Sequence, residues 1–140
     1  LLQLFSTTEQ KKILNMILED ENLWNKLDDL TKKWVVPAIF DEIIKNVNEY
    51  RVIILEVPLL FEFALDNYFD FIILISADEK IAFNRVLEAR NLDFEIFKKI
   101  KNRQMNDIFK KDNVEFVLRN NTTENVLNKK IEYLIKKIKN

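Results

Sequence analysis

The sequence predicts an α/β domain with a parallel sheet, preceded by a helical segment. Three short apolar runs rich in β-branched residues follow Tyr50, and they alternate with segments in which apolar residues recur at helical intervals. Strands and helices in this order favour a parallel sheet with right-handed crossovers. The chain has 140 residues, 48% of them hydrophobic and 32% charged. This is one domain's worth of sequence, long enough to bury a core.

The first third is predicted to be helical. Ser6-Thr7-Thr8-Glu9 has the spacing of a capping box, and apolar residues follow it at helical intervals. These signals predict one helix over residues 8–20 and a second over residues 22–33. Proline is tolerated in the first turn of a helix, so Pro37 is predicted to open a third helix that ends near Asn48.

The rest of the chain is predicted to hold three buried strands, at residues 51–57, 69–75 and 114–118. Ser76-Ala77-Asp78-Glu79 is a second capping box and predicts a helix directly after the second strand. Thr122 or Thr123 is predicted to begin the last amphipathic helix.

Composition restricts the chemistry that the chain can perform. Without cysteine or histidine it has no disulfide, thiolate nucleophile, Cys/His zinc site or histidine base, so carboxylates, Lys, Arg or hydroxyls must act instead. Without glycine it cannot form a Gly-rich phosphate loop of its own, because such loops need positive φ angles. No apolar run approaches the roughly 20 residues of a membrane span, and no signal peptide is evident. We therefore expect a cytoplasmic protein without a membrane partner.

The stretch Glu56-Val57-Pro58-Leu59-Leu60-Phe61-Glu62 places three large apolar residues between two acids, after the predicted strand 51–57. In open parallel sheets, ligands bind beyond the carboxyl ends of the strands. Glu56 and Glu62 are expected there, together with Ser76 and Asn120-Asn121. A helix cap or a solvated loop acid is the alternative interpretation of any one of these residues.

A basic stretch lies inside an otherwise acidic region of the sequence. Residues 98–111 hold six bases against one acid, whereas residues 41–95 hold twelve acids against five bases. The stretch is either the solvated face of a helix or a cationic lid that closes over phosphates. Nucleic-acid binding is disfavoured, because the net charge is −1 and four interleaved apolar residues have the spacing of buried helix faces. These residues are Phe94, Phe97, Ile100 and Ile108.

The stretch 56–62 and the order of elements resemble the dephospho-CoA kinases, P-loop kinases that phosphorylate the 3′-hydroxyl of dephospho-CoA in the last step of coenzyme A synthesis. In that family an acid at the end of a buried strand is followed by Val-Pro-Leu-Leu-Phe-Glu. Further matches run along most of the chain: Val36-Pro37-Ala38-Ile39, the strand at 69–75, Arg85, Gln104-Met105, Phe116-Val117-Leu118 and Asn120-Asn121.

The resemblance implies a P-loop kinase-like three-layer fold that uses ATP and Mg²⁺, with dephospho-CoA as the acceptor. It implies an acceptor pocket lined by Pro58, Leu59, Leu60, Phe61 and Glu62. It further implies that Glu56 lies near the Mg²⁺, through a water, that Arg85 and Arg90 bind the ATP phosphates, and that Asn120 lies near the nucleotide. A homo-oligomer is compatible with it.

The resemblance fails at the family's first segment, a strand and a Gly-x-x-x-x-Gly-Lys-Ser/Thr loop, which has no counterpart here. We therefore expect an incomplete sheet without its central strand, and a chain that is inactive alone. Other family positions are also altered: Glu56 replaces an aspartate, Val36 a histidine, Ile100 an arginine and Arg119 an acid. Where the family has a second arginine of its lid, this sequence has Ala89, and Arg90 follows it by one residue.

By this resemblance the chain divides into four regions. Residues 1–49 form an acceptor-side helical region, 50–90 a strand-helix core, 91–112 the lid-like helices, and 113–140 the last strand and C-terminal helix. Three alternatives stay open: a non-catalytic relative that acts as a binding or interaction module, an enzyme like the nucleoside monophosphate kinases, and an unrelated helix-rich α/β domain.

Overall fold

The structure, a computed structural model, describes residues 9–139, and the chain divides into two compact units, Leu1–Pro58 and Leu59–Asn140. The first unit holds helices α1 (Gln10–Glu19) and α2 (Glu21–Asn46). The second holds a 3-10 turn and six further elements: the turn Asp66–Tyr68, β1 (Ile73–Ser76), α3 (Glu79–Arg90), α4 (Phe94–Arg103), α5 (Asp107–Asp112), β2 (Phe116–Arg119) and α6 (Glu124–Lys139). The predicted helix start at Thr8, and Ser6 and Thr7 of its capping box, lie outside the described residues.

Asp20 separates the two helices of the first unit. Its carboxylate accepts hydrogen bonds from the amides of Asn22 (2.8 Å) and Leu23 (3.4 Å), which caps the N-terminus of α2. Around this turn the two helices pack on the buried side chains of Ile13 and Ile17. Partly buried apolar residues complete the cluster: Leu14, Met16, Leu23, Trp24 and Leu27.

The prediction that Pro37 opens a new helix is wrong, because α2 continues through Pro37 without interruption. Proline lacks the N–H that would bond the carbonyl four residues earlier, and its ring crowds that carbonyl. The φ angle that the ring imposes is nevertheless close to helical, so the helix can continue at a cost of about 3 kcal/mol. It ends at Asn46, whose side-chain amide donates to the Glu42 carbonyl at 2.8 Å.

The predicted buried strand at residues 51–57 is also wrong. Residues 52–57 have no regular secondary structure, and Val52 and Ile54 are 40% and 71% exposed. A strand needs a neighbour to satisfy its backbone groups, and the sheet formed by the described residues contains only β1 and β2. Glu56 therefore follows an irregular segment rather than a strand.

The predicted parallel sheet is confirmed in the second unit. β1 and β2 are parallel, with register from Ile73 opposite Phe116 to Ser76 opposite Arg119. Both strands are four residues long, shorter and slightly later in the sequence than predicted. Helices α3, α4 and α5 lie between them in the sequence, as expected for a crossover connection.

The core of the second unit is aromatic and aliphatic. Its buried side chains include Phe61, Phe63, Leu65, Leu118 and Leu134. A second aromatic group joins α3 to α4, where the Phe83 ring centroid lies 5.0 Å from that of Phe94 and 5.5 Å from that of Phe97. Among residues 9–139, no helix combines the length and apolar character that a membrane span requires.

Candidate functional site

The carboxyl ends of β1 and β2 are held together by polar contacts. The Asn120 amide donates to the Ser76 carbonyl at 2.7 Å, and the Asp78 amide donates to Asn121 Oδ1 at 2.9 Å. Arg85 Nη1 donates to the Asn120 carbonyl at 2.8 Å. Two residues predicted to bind nucleotide, Arg85 and Asn120, are therefore in direct contact.

The capping box predicted at Ser76 does not form. Asp78 is the N-cap residue of α3, and it makes no side-chain capping bond, while Ser76 is the last residue of β1. The strand extends through Ser76 because its carbonyl accepts the Asn120 amide. The helix nevertheless begins at Glu79, close to the predicted position.

A cleft of about 350 Å³ opens beside this edge, between the end of β1, helix α3 and the lid helices, a name we give to α4 and α5. Three of its lining residues are cationic and two are anionic: Arg90, Lys101, Lys110, Glu79 and Asp107. Lys101 is paired with Glu79 and Lys110 with Glu62. Among the described residues that line the cleft, Arg90 is therefore the cation that could meet an anionic ligand such as a phosphate group. Lys101 and Lys110 were noted in the sequence only as members of the basic stretch.

Arg85 and Arg90 face different directions on α3. Five residues separate them, so they differ by about 140° around the helix axis. Arg90 lines the cleft, whereas Arg85 reaches the Asn120 carbonyl. The late arginine noted in the sequence therefore belongs to a different face of α3 from Arg85.

An ion pair links α3 to the lid helices. Lys101 Nζ lies 2.7 Å from Glu79 Oε2, with both side chains partly exposed. The hydrogen bond from Lys101 and the attraction of its charge hold the pKa of Glu79 below its ordinary value. This pair borders the cleft and offsets part of its positive charge.

The stretch 56–62 crosses the boundary between the two units. Pro58 closes the first unit, and Leu59 begins a single helical turn in the second. The Phe63 amide donates to the Leu59 carbonyl, and the turn closes with bonds from Ala64 to the Phe61 carbonyl and from Leu65 to the Leu60 carbonyl. The last two bonds have the pattern of a Schellman motif.

This turn requires left-handed backbone at residues other than glycine. Ala64, which occupies the position where a Schellman motif usually has glycine, has φ of 55°, and Leu59 has φ of 57°. The same geometry ends α3 at Asn91, with φ of 50°. A left-handed residue with a Cβ costs about 1–2 kcal/mol, less for Asn, so the two turn residues are strained.

Glu62 belongs to this turn, and its side chain binds the lid helices. Its Oε1 accepts from the Met105 amide at 2.8 Å and lies 2.8 Å from Lys110 Nζ. The Glu62 and Lys110 side chains are only 16% and 13% exposed. Burial raises the pKa of Glu62, but the bonds from Lys110 and the Met105 amide outweigh it, so the pKa lies below its ordinary value.

The prediction that Ile108 lies on the buried side of a helix is wrong, since it is 68% exposed. Helix α5 has only six residues, and its inward position is taken by Lys110, which pairs with Glu62. Phe109 contacts the turn as well, with its ring edge-to-face on Phe61 at a centroid distance of 5.9 Å.

The remaining predicted residues belong to the first unit. Glu56 and Pro58 are both exposed there. Among residues 9–139, no group of three or more His, Cys, Asp or Glu is arranged to hold a metal ion. Mg²⁺ in nucleotide-binding enzymes often needs only one or two carboxylates besides waters and substrate phosphates, so a single Glu56 is compatible with that use.

A larger groove, of about 680 Å³, lies between β2 and α6. Its floor is mostly apolar, with Phe116, Val117, Leu118 and Val126, and Lys130 Nζ lies 3.4 Å from the Arg119 carbonyl at its rim. Four cationic residues also line the larger groove: Lys111, Arg119, Lys129 and Lys130. We place the candidate site in the smaller cleft because it opens beside the carboxyl end of β1, where ligands bind in open parallel sheets.

The overall fold resembles that of a solved structure. The crystal structure of TT1252 from Thermus thermophilus matches 97% of this chain and 73% of its own, with a TM-score of 0.68 and 18% sequence identity. The fold and the cleft together define an α/β protein with a parallel sheet and an open cleft at the carboxyl end of a strand.

Comparison of the sequence identifies the family within that class. The family model for dephospho-CoA kinase matches residues 2–125. The dephospho-CoA kinase of Rickettsia typhi is 30% identical over 131 residues, which cover 91% of this chain and 66% of that protein. The dephospho-CoA kinase of Lactobacillus acidophilus is 32% identical over 138 residues, 95% of this chain and 67% of that protein. The chain belongs to the dephospho-CoA kinase family.

The relatives are longer than this chain. The chain spans about two thirds of the length of the curated relatives that it matches, for example 66% and 63% of those from Rickettsia typhi and Fusobacterium nucleatum.

Proposed function

We propose that the protein carrying this chain transfers the γ-phosphate of ATP to the 3′-hydroxyl of dephospho-CoA, and that the 140 residues contribute the acceptor side and the lid. The observation that carries the proposal is the cleft at the end of β1 in a chain of this family, where Arg90 provides a cation suited to phosphate and Lys101 and Lys110 line the same cleft. Phosphoryl transfer depends on positioning and on neutralising the charge of the phosphates, and both are tasks for such a cleft.

Arg90, which lines the cleft, and Arg85, which lies on the other face of α3, are both assigned to bind the ATP phosphates. Asn120 is assigned to the nucleotide, because its carbonyl holds the Arg85 guanidinium at 2.8 Å. Lys101 and Lys110 line the cleft from the lid helices, each paired with a carboxylate. Together the two arginines would lower the free energy of a transition state in which negative charge spreads over the transferring phosphoryl group.

The acceptor pocket is assigned to the turn at residues 58–62. Pro58, Leu59 and Leu60 have accessible surface that an acceptor can contact, while the buried Phe61 and Glu62 support the turn from the inside. Glu56 is assigned to Mg²⁺ through a water. When bound with ATP, Mg²⁺ would supply charge neutralisation at the phosphates.

The phosphate cradle is assigned to a segment beyond these 140 residues, since a chain without glycine cannot form a Gly-rich phosphate loop. The chain should therefore be inactive alone. A water-excluding pocket also needs that segment, because hydrolysis of ATP competes with transfer to the acceptor.

A kinase assay with competing acceptors tests the acceptor assignment. The protein is produced with the coding region upstream of Leu1 and supplied with ATP, Mg²⁺, and dephospho-CoA, AMP or other nucleoside monophosphates. Formation of coenzyme A is expected. Phosphorylation of AMP instead would favour a nucleoside monophosphate kinase, and binding of dephospho-CoA without product would favour a non-catalytic relative.

A further inference from the structure

We propose that Glu62 is a positioning residue that couples the turn at residues 59–65, which we call the acceptor turn, to the lid helices through Met105 and Lys110. This inference rests on the proposed function, because it assigns the means by which the acceptor side and the lid side of the same site are aligned. Glu62 acts through its partners rather than by contact with substrate.

The geometry of the carboxylate supports this role. Oε1 receives two donors from different parts of the lid helices, the Met105 amide in the α4–α5 connection and the Lys110 ammonium in α5, both at 2.8 Å. Met105 lies 43 residues after Glu62, so the bond joins segments that are distant in sequence. One oxygen therefore fixes the connection and the helix that follows it.

Burial makes these bonds strong and their loss costly. Both side chains of the Glu62–Lys110 pair are largely removed from solvent. Hydrogen bonds between charged groups are stronger than those between neutral groups. Glu62 Oε2 is buried, and among residues 9–139 no donor reaches it. The charge of the carboxylate is therefore stabilised through Oε1, which ties its position to Met105 and Lys110.

An aromatic contact joins the acceptor turn to α5 beside the ion pair. Phe61, next to Glu62 in the turn, packs its ring on that of Phe109, next to Lys110 in α5. A polar and an aromatic contact thus join the same two elements side by side. Because Leu59 and Leu60 belong to the same single turn, an acceptor that presses on them would move Glu62 and, through it, α5.

Amide hydrogen exchange, measured by NMR, tests the coupling. In Glu62→Gln, which keeps the size of the side chain and removes its charge, Met105 should exchange at least about tenfold faster relative to Leu118, a buried reference in β2. In Lys110→Met, which leaves the Met105 bond in place, the amides of α5 should exchange faster while Met105 changes less. Glu79→Gln, which removes the same charge from the more exposed pair that links α3 to α4, is the control and should leave the exchange of Met105 within about twofold of the wild type.

A second arm of the experiment adds dephospho-CoA. In the wild-type protein it should slow exchange in α5, and in Glu62→Gln it should still bind but lose that effect. If Met105 in Glu62→Gln exchanges as in the wild type, or if the ligand protects α5 equally in both, the coupling is wrong. Absence of dephospho-CoA binding by the wild type would overturn the proposed function and the link to the acceptor, while the exchange of Met105 would still decide whether Glu62 holds the lid helices.

Discussion

Single residues decide how this chain makes turns without glycine. Ala64 and Leu59 adopt left-handed backbone in the acceptor turn, and Asn91 does so at the end of α3. Asn tolerates this conformation better than other residues, because its short polar side chain bonds locally. Ala64 and Leu59 have no such compensation, so the acceptor turn stores strain.

The strain at Ala64 can be relieved by substitution. We expect Ala64→Gly to raise the free energy of unfolding by about 1 kcal/mol, because Ala64 is exposed and glycine removes the Cβ conflict. Urea unfolding measures the change. Ala89→Gly, at an exposed position of α3, is the control and should destabilise by about 0.5–1 kcal/mol. A destabilised Ala64→Gly would show that the turn is not strained at this position.

Glu62 makes stability dependent on pH. Its pKa is lower in the folded state than in the unfolded chain, so its contribution is complete above the ordinary pKa of a glutamate and is lost as the pH falls through the folded value. Glu62→Gln should lower the free energy of unfolding by about 2 kcal/mol at pH 7.

Chemical denaturation between pH 7 and pH 3 measures this effect, and the difference in the free energy of unfolding between the wild type and Glu62→Gln should shrink as the pH falls. Glu79→Gln should show a smaller difference, since its pair with Lys101 is exposed. A constant difference between the wild type and Glu62→Gln at all pH values would contradict the role of the carboxylate charge.

Arg85 is expected to act on catalysis far more than on folding. In the active protein, Arg85→Ala should lower kcat/KM by about 100-fold, because the charge of a phosphate-binding arginine acts mainly on the transition state. The same substitution should change the free energy of unfolding by less than about 1 kcal/mol, since the side chain is exposed. Lys80→Ala, which removes another exposed cation from α3, is the control for both measurements. An unchanged rate in Arg85→Ala would remove Arg85 from the site.

At the scale of elements, the long helix α2 shows what local sequence signals miss. Pro37 is a strong signal for a helix start, but α2 passes through it and spans Glu21–Asn46. Local rules describe the cost of an interior proline and not the stabilisation that the adjoining helical turns supply.

The continuity of α2 has a measurable consequence. Pro37→Ala should raise the free energy of unfolding by about 2 kcal/mol, because alanine restores a backbone donor and this gain exceeds the entropy that the unfolded chain regains. Pro58→Ala is the matched control at the other proline, outside any helix, and should destabilise slightly. If Pro37→Ala is neutral or destabilising, a new helix begins at Pro37 as the sequence predicts.

Some features of the strands could be predicted from local sequence, and others depend on partners that are distant in sequence. The parallel direction of the strands could be predicted, because alternating strands and helices leave few arrangements, whereas the pairing of β1 with β2 required the structure. The segment 51–57 has the composition of a buried strand and yet is irregular, since strand formation depends on a pairing partner that composition does not report. The partners of Glu62 were equally hidden, because no local spacing relates it to Met105 and Lys110.

At the scale of the whole molecule, the family, the absence of glycine and the length of the relatives point to one division of labour. The chain belongs to the dephospho-CoA kinase family, spans about two thirds of the length of its curated relatives, and has a cleft lined by Arg90 at the end of β1. We infer that acceptor recognition and lid closure reside in these residues and that the ATP phosphate cradle resides outside them. The sequence was enough to select the candidate residues 56–62, Arg85 and Arg90. The structure was needed to show on which face of α3 each arginine lies and which residues Glu62 contacts.

The rate of coenzyme A formation by two forms of the protein tests this division most directly. The 140-residue chain and the same chain with its upstream coding region are each incubated with ATP, Mg²⁺ and dephospho-CoA, and the 3′-phosphorylated product is quantified. Product is predicted from the longer form, and none from the 140-residue chain. Turnover by the 140-residue chain alone, or its absence from the longer form, would contradict the division proposed for this protein.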